Sequence, residues 1–152
     1  MKKLVALLLV AVVVMASAFA FSFRSVGIET GSGYFLSGDM DIIDNLDIYV
    51  RLGYTGRFDL SFGGQYKVAD FKVSHTQVDF RPGLQLGFGF GNGFAFRAHL
   101  TAQLAFDVDH FTAFVRPGIG LSLYTIKYEY MDKRYTSTDF SFIIETGVAY
   151  LF

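Results

Sequence analysis

Six segments of this chain alternate oily and polar-or-small residues with a period of two, and no other feature constrains the fold as strongly. The closing segment, Phe140–Phe152, places Phe140, Phe142, Ile144, Val148, Tyr150 and Phe152 on one set of alternate positions. Ser141, Glu145, Gly147 and Ala149 occupy the other set. A strand turns successive side chains to opposite faces, so such a segment has one apolar face. Asp47–Tyr54, Phe58–Val68, Gln77–Phe90, Phe94–Phe106 and Thr112–Tyr124 read the same way. Their apolar faces carry no charged residue. The opposite faces carry Asp47, Arg51, Asp59, Lys67, Asp79, Arg81, Arg97, Arg116 and Glu145, with Gln65, Gln77, Gln85, His99 and Gln103.

The start of the chain reads as a leader. Met1-Lys2-Lys3 is positive, Leu4 to Met15 is an unbroken apolar run, and Ala16-Ser17-Ala18-Phe19-Ala20 offers small-residue cleavage sites. That is the pattern of a secretory signal peptide over residues 1–20, with the cut expected after Ala20 and Ala18 as second choice. The remainder, 21–152, has the length of one domain. Without Lys2 and Lys3 the 13 basic residues become 11 against 14 acidic ones, a net charge of −3. That balance argues against a nucleic-acid partner. The sequence has no cysteine, so disulfides, thiolate metal sites and a lipid-bearing cysteine are excluded too.

Aromatic residues make up 18% of the chain and glycines number 16 against 2 prolines, an unusual mix for a soluble domain. After the leader no apolar run is long enough to cross a bilayer as a helix. An apolar chain of alternating strands then points to a closed barrel, because only closure removes unpaired strand edges. Volume decides which face points inward. A barrel of about eight strands has an interior just wide enough for its own side chains. The apolar face is crowded with Phe, Leu and Tyr, whereas the polar face holds Gly53, Gly63, Gly83, Gly87, Gly89, Gly118, Gly120 and Gly147. The bulky face therefore belongs outside. The expected fold is all-β: an antiparallel up-and-down transmembrane β-barrel of eight strands.

Turn residues support that count. Gly91-Asn92-Gly93 and Thr55-Gly56-Arg57 read as hairpin turns, and Asp107 to His110 as a third short connection. Phe21–Thr30 and Tyr34 to about Met40, joined by Gly31-Ser32-Gly33, supply the first two strands. A rival count treats 31–45 as one external loop and splits 111–137 into two strands. The repeated Arg81-Pro82-Gly83 and Arg116-Pro117-Gly118 mark equivalent strands in successive hairpins, with a local bulge expected at each proline.

The leader, the alternation and the terminal Phe152 together resemble the small bacterial outer-membrane barrel superfamily, which includes opacity proteins, the OmpA membrane domain and OmpX-type proteins. The resemblance covers the whole mature chain. It implies residence in the outer membrane of a Gram-negative-type envelope, contact with outer-membrane lipid, and delivery by a barrel-assembly machinery that reads the terminal strand at Tyr150 and Phe152. It also implies a structural or surface-interacting role with an extracellular partner left undefined, since that superfamily includes membrane-stabilising and adhesive members. It assigns no catalytic residue.

The polar face contains five basic and four acidic residues: Arg51, Lys67, Arg81, Arg97 and Arg116 against Asp47, Asp59, Asp79 and Glu145. This near balance favours a salt-bridged plug over an ion-selective channel; a narrow pore is the alternative reading. Asp39, Asp41, Asp44 and Asp47 lack the spacing of a calcium loop and read as a solvated acidic loop. The tyrosine-rich stretch from Tyr124 to Tyr135 suits a membrane interface; the alternative reading has this strand and an external loop to about Ser137 project outside and bind a partner. Of the three histidines, His99 falls on the lumen face, where a hydrogen bond to Gln103 or to the carboxylate paired with Arg97 is expected. Outer-membrane lipid A deacylases are of similar size, but their His-x-Ser arrangement is absent here. No catalytic, cofactor or metal site is expected, which leaves a lipid-modifying enzyme and a soluble periplasmic ligand-binding barrel as the remote alternatives.

Overall fold

A computed structural model describes residues 23–91, 93–128 and 133–152; the expected signal peptide lies outside the described residues. The described residues form nine strands: β1 (Phe23–Thr30), β2 (Tyr34–Ile43), β3 (Leu46–Tyr54), β4 (Phe58–Tyr66), β5 (Ala69–Val73), β6 (Thr76–Gly91), β7 (Gly93–Val108), β8 (Phe111–Tyr128) and β9 (Lys133–Leu151). Consecutive strands pair antiparallel except β4 and β5, which both pair with β6, and β1 closes on β9. β4 and the short β5 lie end to end along one edge of β6, so the cylinder has eight staves. The rival count fails: 34–43 is a strand, and 111–128 is a single strand whose ladder to β9 is unbroken.

The irregularity expected at Pro82 is the junction of β4 and β5. Gln65 stands opposite Gly83 and Ala69 opposite Phe80, so three residues on one side face two on the other. Proline has no N–H to give the ladder, and pairing restarts one residue out of step. Val68 N donates to Phe80 O (3.1 Å) and Lys67 N to Asn45 O (2.8 Å), which ties down the kinked backbone. Pro117 carries no bulge, contrary to expectation. Pairing to β7 lapses beside it, between Thr101–Gly118 and Leu104–Val115, and resumes in the same register, while pairing to β9 continues. The missing donor is absorbed as a gap on one side.

Stepping from paired residue to paired residue around the cylinder from Ile28 leads to Thr138. That is ten positions from Val148, the partner of Ile28 across the closing seam. A stagger of this size on eight staves tilts the strands by about 40–45° to the barrel axis. Phe23 and Phe152, where the described chain ends, lie at one rim, where two-residue turns at 44–45, 74–75 and 109–110 join the strands. Asn45, Ser74 and Asp109 adopt positive φ in them. The third connection is therefore shorter than Asp107 to His110, because Asp107 and Val108 remain in the ladder. At the opposite rim Gly31–Gly33 and Thr55–Arg57 turn as expected, with Gly56 at φ 83°. Gly91 and Gly93 face each other across the ladder, and Asn92 lies outside the described residues. The hairpin of β8 and β9 continues to Tyr128 and Lys133, so most of the expected external loop is strand.

The packing is inside out. Among the described residues, thirty-two large apolar or aromatic side chains are exposed, whereas eighteen polar or charged ones are buried. Glycines on the inner face make room for the charged side chains. A Cβ at Gly120 would lie 2.7 Å from His99 Cα, a backbone atom that cannot yield; at Gly64, on the outer face, nothing comes closer than 3.9 Å. Gly120→Ala is expected to cost about 1–3 kcal/mol through overpacking. Gly64→Ala should stay within about 0.5 kcal/mol of the parent. Urea midpoints of the refolded variants check both.

Candidate functional site

The barrel interior is filled by ion pairs in three layers. The middle layer is a closed ring of two arginines and two glutamates drawn from four strands. Arg51 Nη1 on β3 meets Glu29 Oε2 on β1 at 2.9 Å and Glu145 Oε2 on β9 at 2.7 Å. Arg116 Nη1 on β8 meets the same two oxygens at 3.0 and 3.3 Å. All four side chains are 1–2% exposed. The ring is neutral, and every charge in it touches two of opposite sign. Burying an ion costs several kcal/mol unless its partners and remaining hydrogen bonds are in place.

The aromatic residues beside the ring help to meet that cost. The Arg51 guanidinium lies 4.5 Å from the centre of the Phe35 ring. That of Arg116 lies between Tyr49 and Phe114, at 4.3 and 4.7 Å. Such faces attract a desolvated cation. Arg116 Nε donates to Gln103 Oε1 at 2.8 Å. The Gln85 amide fits its neighbours with its oxygen 2.6 Å from Arg51 Nη2 and its nitrogen 2.9 Å from Tyr49 Oη.

Towards the rim that carries the chain ends, Arg81 on β6 bridges Asp47 and Asp79, the latter at 2.5 Å. Arg24 joins Asp47 at 2.9 Å and Asp41 at 3.5 Å. Arg24 reaches inward because it is the extra residue where the β1–β2 register shifts between Phe23 and Ser25. A cleft of about 480 Å³ opens above this layer, lined by Arg24, Asp41, Asp47, Lys67 and Arg81 among others. Below it the free space shrinks to a void of about 20 Å³ beside Arg81 and Gln103.

Towards the opposite rim, Arg97 pairs with the fully buried Asp59, which also accepts from Ser61 Oγ at 2.9 Å. His99 Nε2 lies 2.7 Å from Ser141 Oγ, which in turn lies 2.9 Å from Ser122 Oγ. The expected bond from His99 to Gln103, or to the carboxylate paired with Arg97, is not made. Gln103 instead serves Arg116 and Gln65, and Ser141 is two strands from His99 with only Gly120 between. A hydroxyl beside an imidazole begins a nucleophile–base pair, but such a base is oriented by an acceptor on its second nitrogen. Nδ1 of His99 is buried with no partner among the described residues.

Of the nine charged residues assigned to the lumen from sequence, Asp47, Arg51, Asp59, Asp79, Arg81, Arg97, Arg116 and Glu145 lie within these layers. Lys67 sits at the rim, about a quarter exposed, 3.5 Å from Asp70. Glu29 and Arg24 escaped the sequence reading. The signal for Glu29 was present, since Ser25, Gly27 and Glu29 alternate with Val26 and Ile28. The four early aspartates do not form a solvated loop. Asp39 and Asp41 are in β2 and Asp47 in β3; Asp39 accepts from Ser25 Oγ at 2.6 Å, and only Asp44 lies in a turn. Tyr150 and Phe152 face outward and meet edge to face at 5.6 Å, with Phe111 against Tyr150 at 5.5 Å. Among the described residues no group of three or more His, Asp or Glu side chains converges on a metal site. Comparison with protein families, curated proteins and solved structures finds no match for this chain.

Proposed function

We propose that this chain is a small integral outer-membrane β-barrel protein with a plugged lumen and a structural or surface-interacting role. One observation carries the reading: the apolar side chains cover the outside of a closed barrel and the ion pairs fill its axis. Monomeric soluble proteins rarely expose apolar patches beyond a few hundred Å². Here the apolar surface runs round the cylinder, from Ile28 and Leu36 through Phe62, Leu84 and Leu100 to Ile119 and Ile144. Hydrocarbon is the solvent such a surface matches. Tyr150 and Phe152 then serve as the terminal signal for assembly, and residues 1–20 as the export signal.

Spin labels at Leu86, Leu100 and Ile144, in protein reconstituted into lipid vesicles, test this. They are expected to collide with oxygen dissolved among acyl chains rather than with a water-soluble relaxing agent; water-like accessibility at all three would overturn the reading. The narrow pore remains the second reading, favoured by the cleft at one mouth. With the neutral Arg–Glu ring across the middle, planar bilayers holding the refolded protein should show no reproducible unitary current. Steady single-channel steps would replace the plug with a pore.

A further inference from the structure

The wall of the barrel is not equally tall all round, and this leaves a strand edge open. β8 and β9 pair along their full length, from Phe111–Tyr150 to Tyr128–Lys133. On its other side β9 meets β1 only from Thr146 to Leu151. The last residues of β9 fix which backbone groups face which neighbour. Phe152 N donates to Arg24 O on the β1 side, and Leu151 N donates to His110 O on the β8 side. With a period of two, the even-numbered residues of β9 turn both N–H and C=O toward the β1 side. Thr136, Thr138, Phe140 and Phe142 therefore present their backbone groups where no strand is paired among the described residues.

No lysine, proline or bulge protects this edge. Exposed edges are ordinarily blunted by lysine, proline or a bulge. Between Tyr135 and Ile144 there is no Lys, Arg, Pro or Gly, and the register to β8 has no shift. On the outer face Phe140 and Phe142 are 73% and 62% exposed. On the lumen face Asp139 is held, among the described residues, only by Ser137 Oγ, at 3.1 and 3.2 Å. Glu29, Asp47, Asp59, Asp79 and Glu145 each have an arginine; Asp139 has no cation among the described residues.

We propose that the β1-facing edge of β9, from Thr136 to Phe142, docks an extended, cation-bearing segment of another protein, which joins the sheet as an added strand. Main-chain hydrogen bonds supply the affinity in this mode and alternate side chains the selectivity. The incoming strand places a Lys or Arg beside Asp139 and apolar side chains beside Phe140 and Phe142. A second copy of this chain does not fit. Two copies sharing one membrane with their ends on one side are related by an axis along the barrel, and strands tilted about 40–45° would then cross at about 80–90°. The exclusion of a second copy rests on the membrane reading; the open edge itself does not.

The test is amide hydrogen exchange on the full-length protein refolded in detergent micelles. The probes are a ten-residue peptide alternating valine and lysine and its valine–glutamate analogue. Alone, the amides of Thr136, Thr138, Phe140 and Phe142 should exchange fast and those of Ser137, Asp139 and Ser141 slowly. The lysine peptide should slow the even-numbered set at least tenfold, and the glutamate peptide should not. Thr138→Pro removes a donor only from the open edge, so it should abolish the peptide effect and leave the odd-numbered amides slow. Asp139→Lys should reverse the preference between peptides. No slowing by the lysine peptide overturns the proposal. So do slow even-numbered amides in a protein that sediments as a dimer without peptide, since a second copy then holds the edge. Flotation of the same preparation with lipid vesicles is read separately, and its failure would strike the membrane reading rather than the open edge.

Discussion

Replacing Arg116 with methionine should lower the unfolding free energy by about 3–5 kcal/mol, because it leaves buried carboxylates short of a cation. Glu29 and Glu145 would then share Arg51 alone, and Tyr49 and Phe114 would lose the guanidinium between them. The chain has no tryptophan, so circular dichroism of urea-unfolded protein in vesicles is the suitable readout. Arg116→Met combined with Glu145→Gln restores charge balance by leaving Glu29 and Arg51 as a single pair. The double variant is expected to be more stable than the single arginine variant, which makes the two changes strongly non-additive. Simple additivity would mean that the ring is not an interacting unit.

Leu100→Arg, on the outer face of β7, should cost about 2–4 kcal/mol in a bilayer. Leu100 is 65% exposed, so the same change on a water-facing surface would stay within about 0.5 kcal/mol. Val73 provides the contrast. It is exposed on β5, near the turn at the rim that carries the chain ends, where depth in the membrane is least. An arginine there should cost about 0–1 kcal/mol. Parallel unfolding in vesicles of the two variants and the parent measures the difference. Equal, near-zero effects at both positions would mean that the apolar surface does not face lipid.

Much of the barrel was legible because period two is read from neighbouring residues alone. Ile48, Val50 and Leu52 declare an outer face without knowledge of any other strand, and crowding of Phe against glycine settles inside from outside. The turns at Gly31–Gly33 and Thr55–Arg57 were readable from glycine. The interruption between β4 and β5 was half visible: Pro82 announced an irregularity, but its form depends on the opposing strand, where Lys67 and Val68 carry no mark of it. Partner choice in the lumen was less accessible. Glu29 meets Arg51 and Arg116 only because the stagger of the sheet brings β1 level with the middle of β3 and β8. His99 meets Ser141 across Gly120 for the same reason. Alternation tells which way a side chain points; the stagger, which sets its height, belongs to the closed cylinder as a whole.

The closing seam is also the least secured join in the wall. It fastens Ser25–Thr30 to Thr146–Leu151, the two extremities of the described chain, whereas the neighbouring staves are stitched along most of their height. Residues so remote in sequence meet only after the largest loop in the molecule has been closed, a step that loop entropy opposes. Hairpins from β6 to β9 can zip locally beforehand. The cylinder is thus expected to roll from its tall side and be buttoned last where its described ends meet; faster amide exchange along Ser25–Thr30 than along β6 to β9 would show the same short row of fasteners giving first.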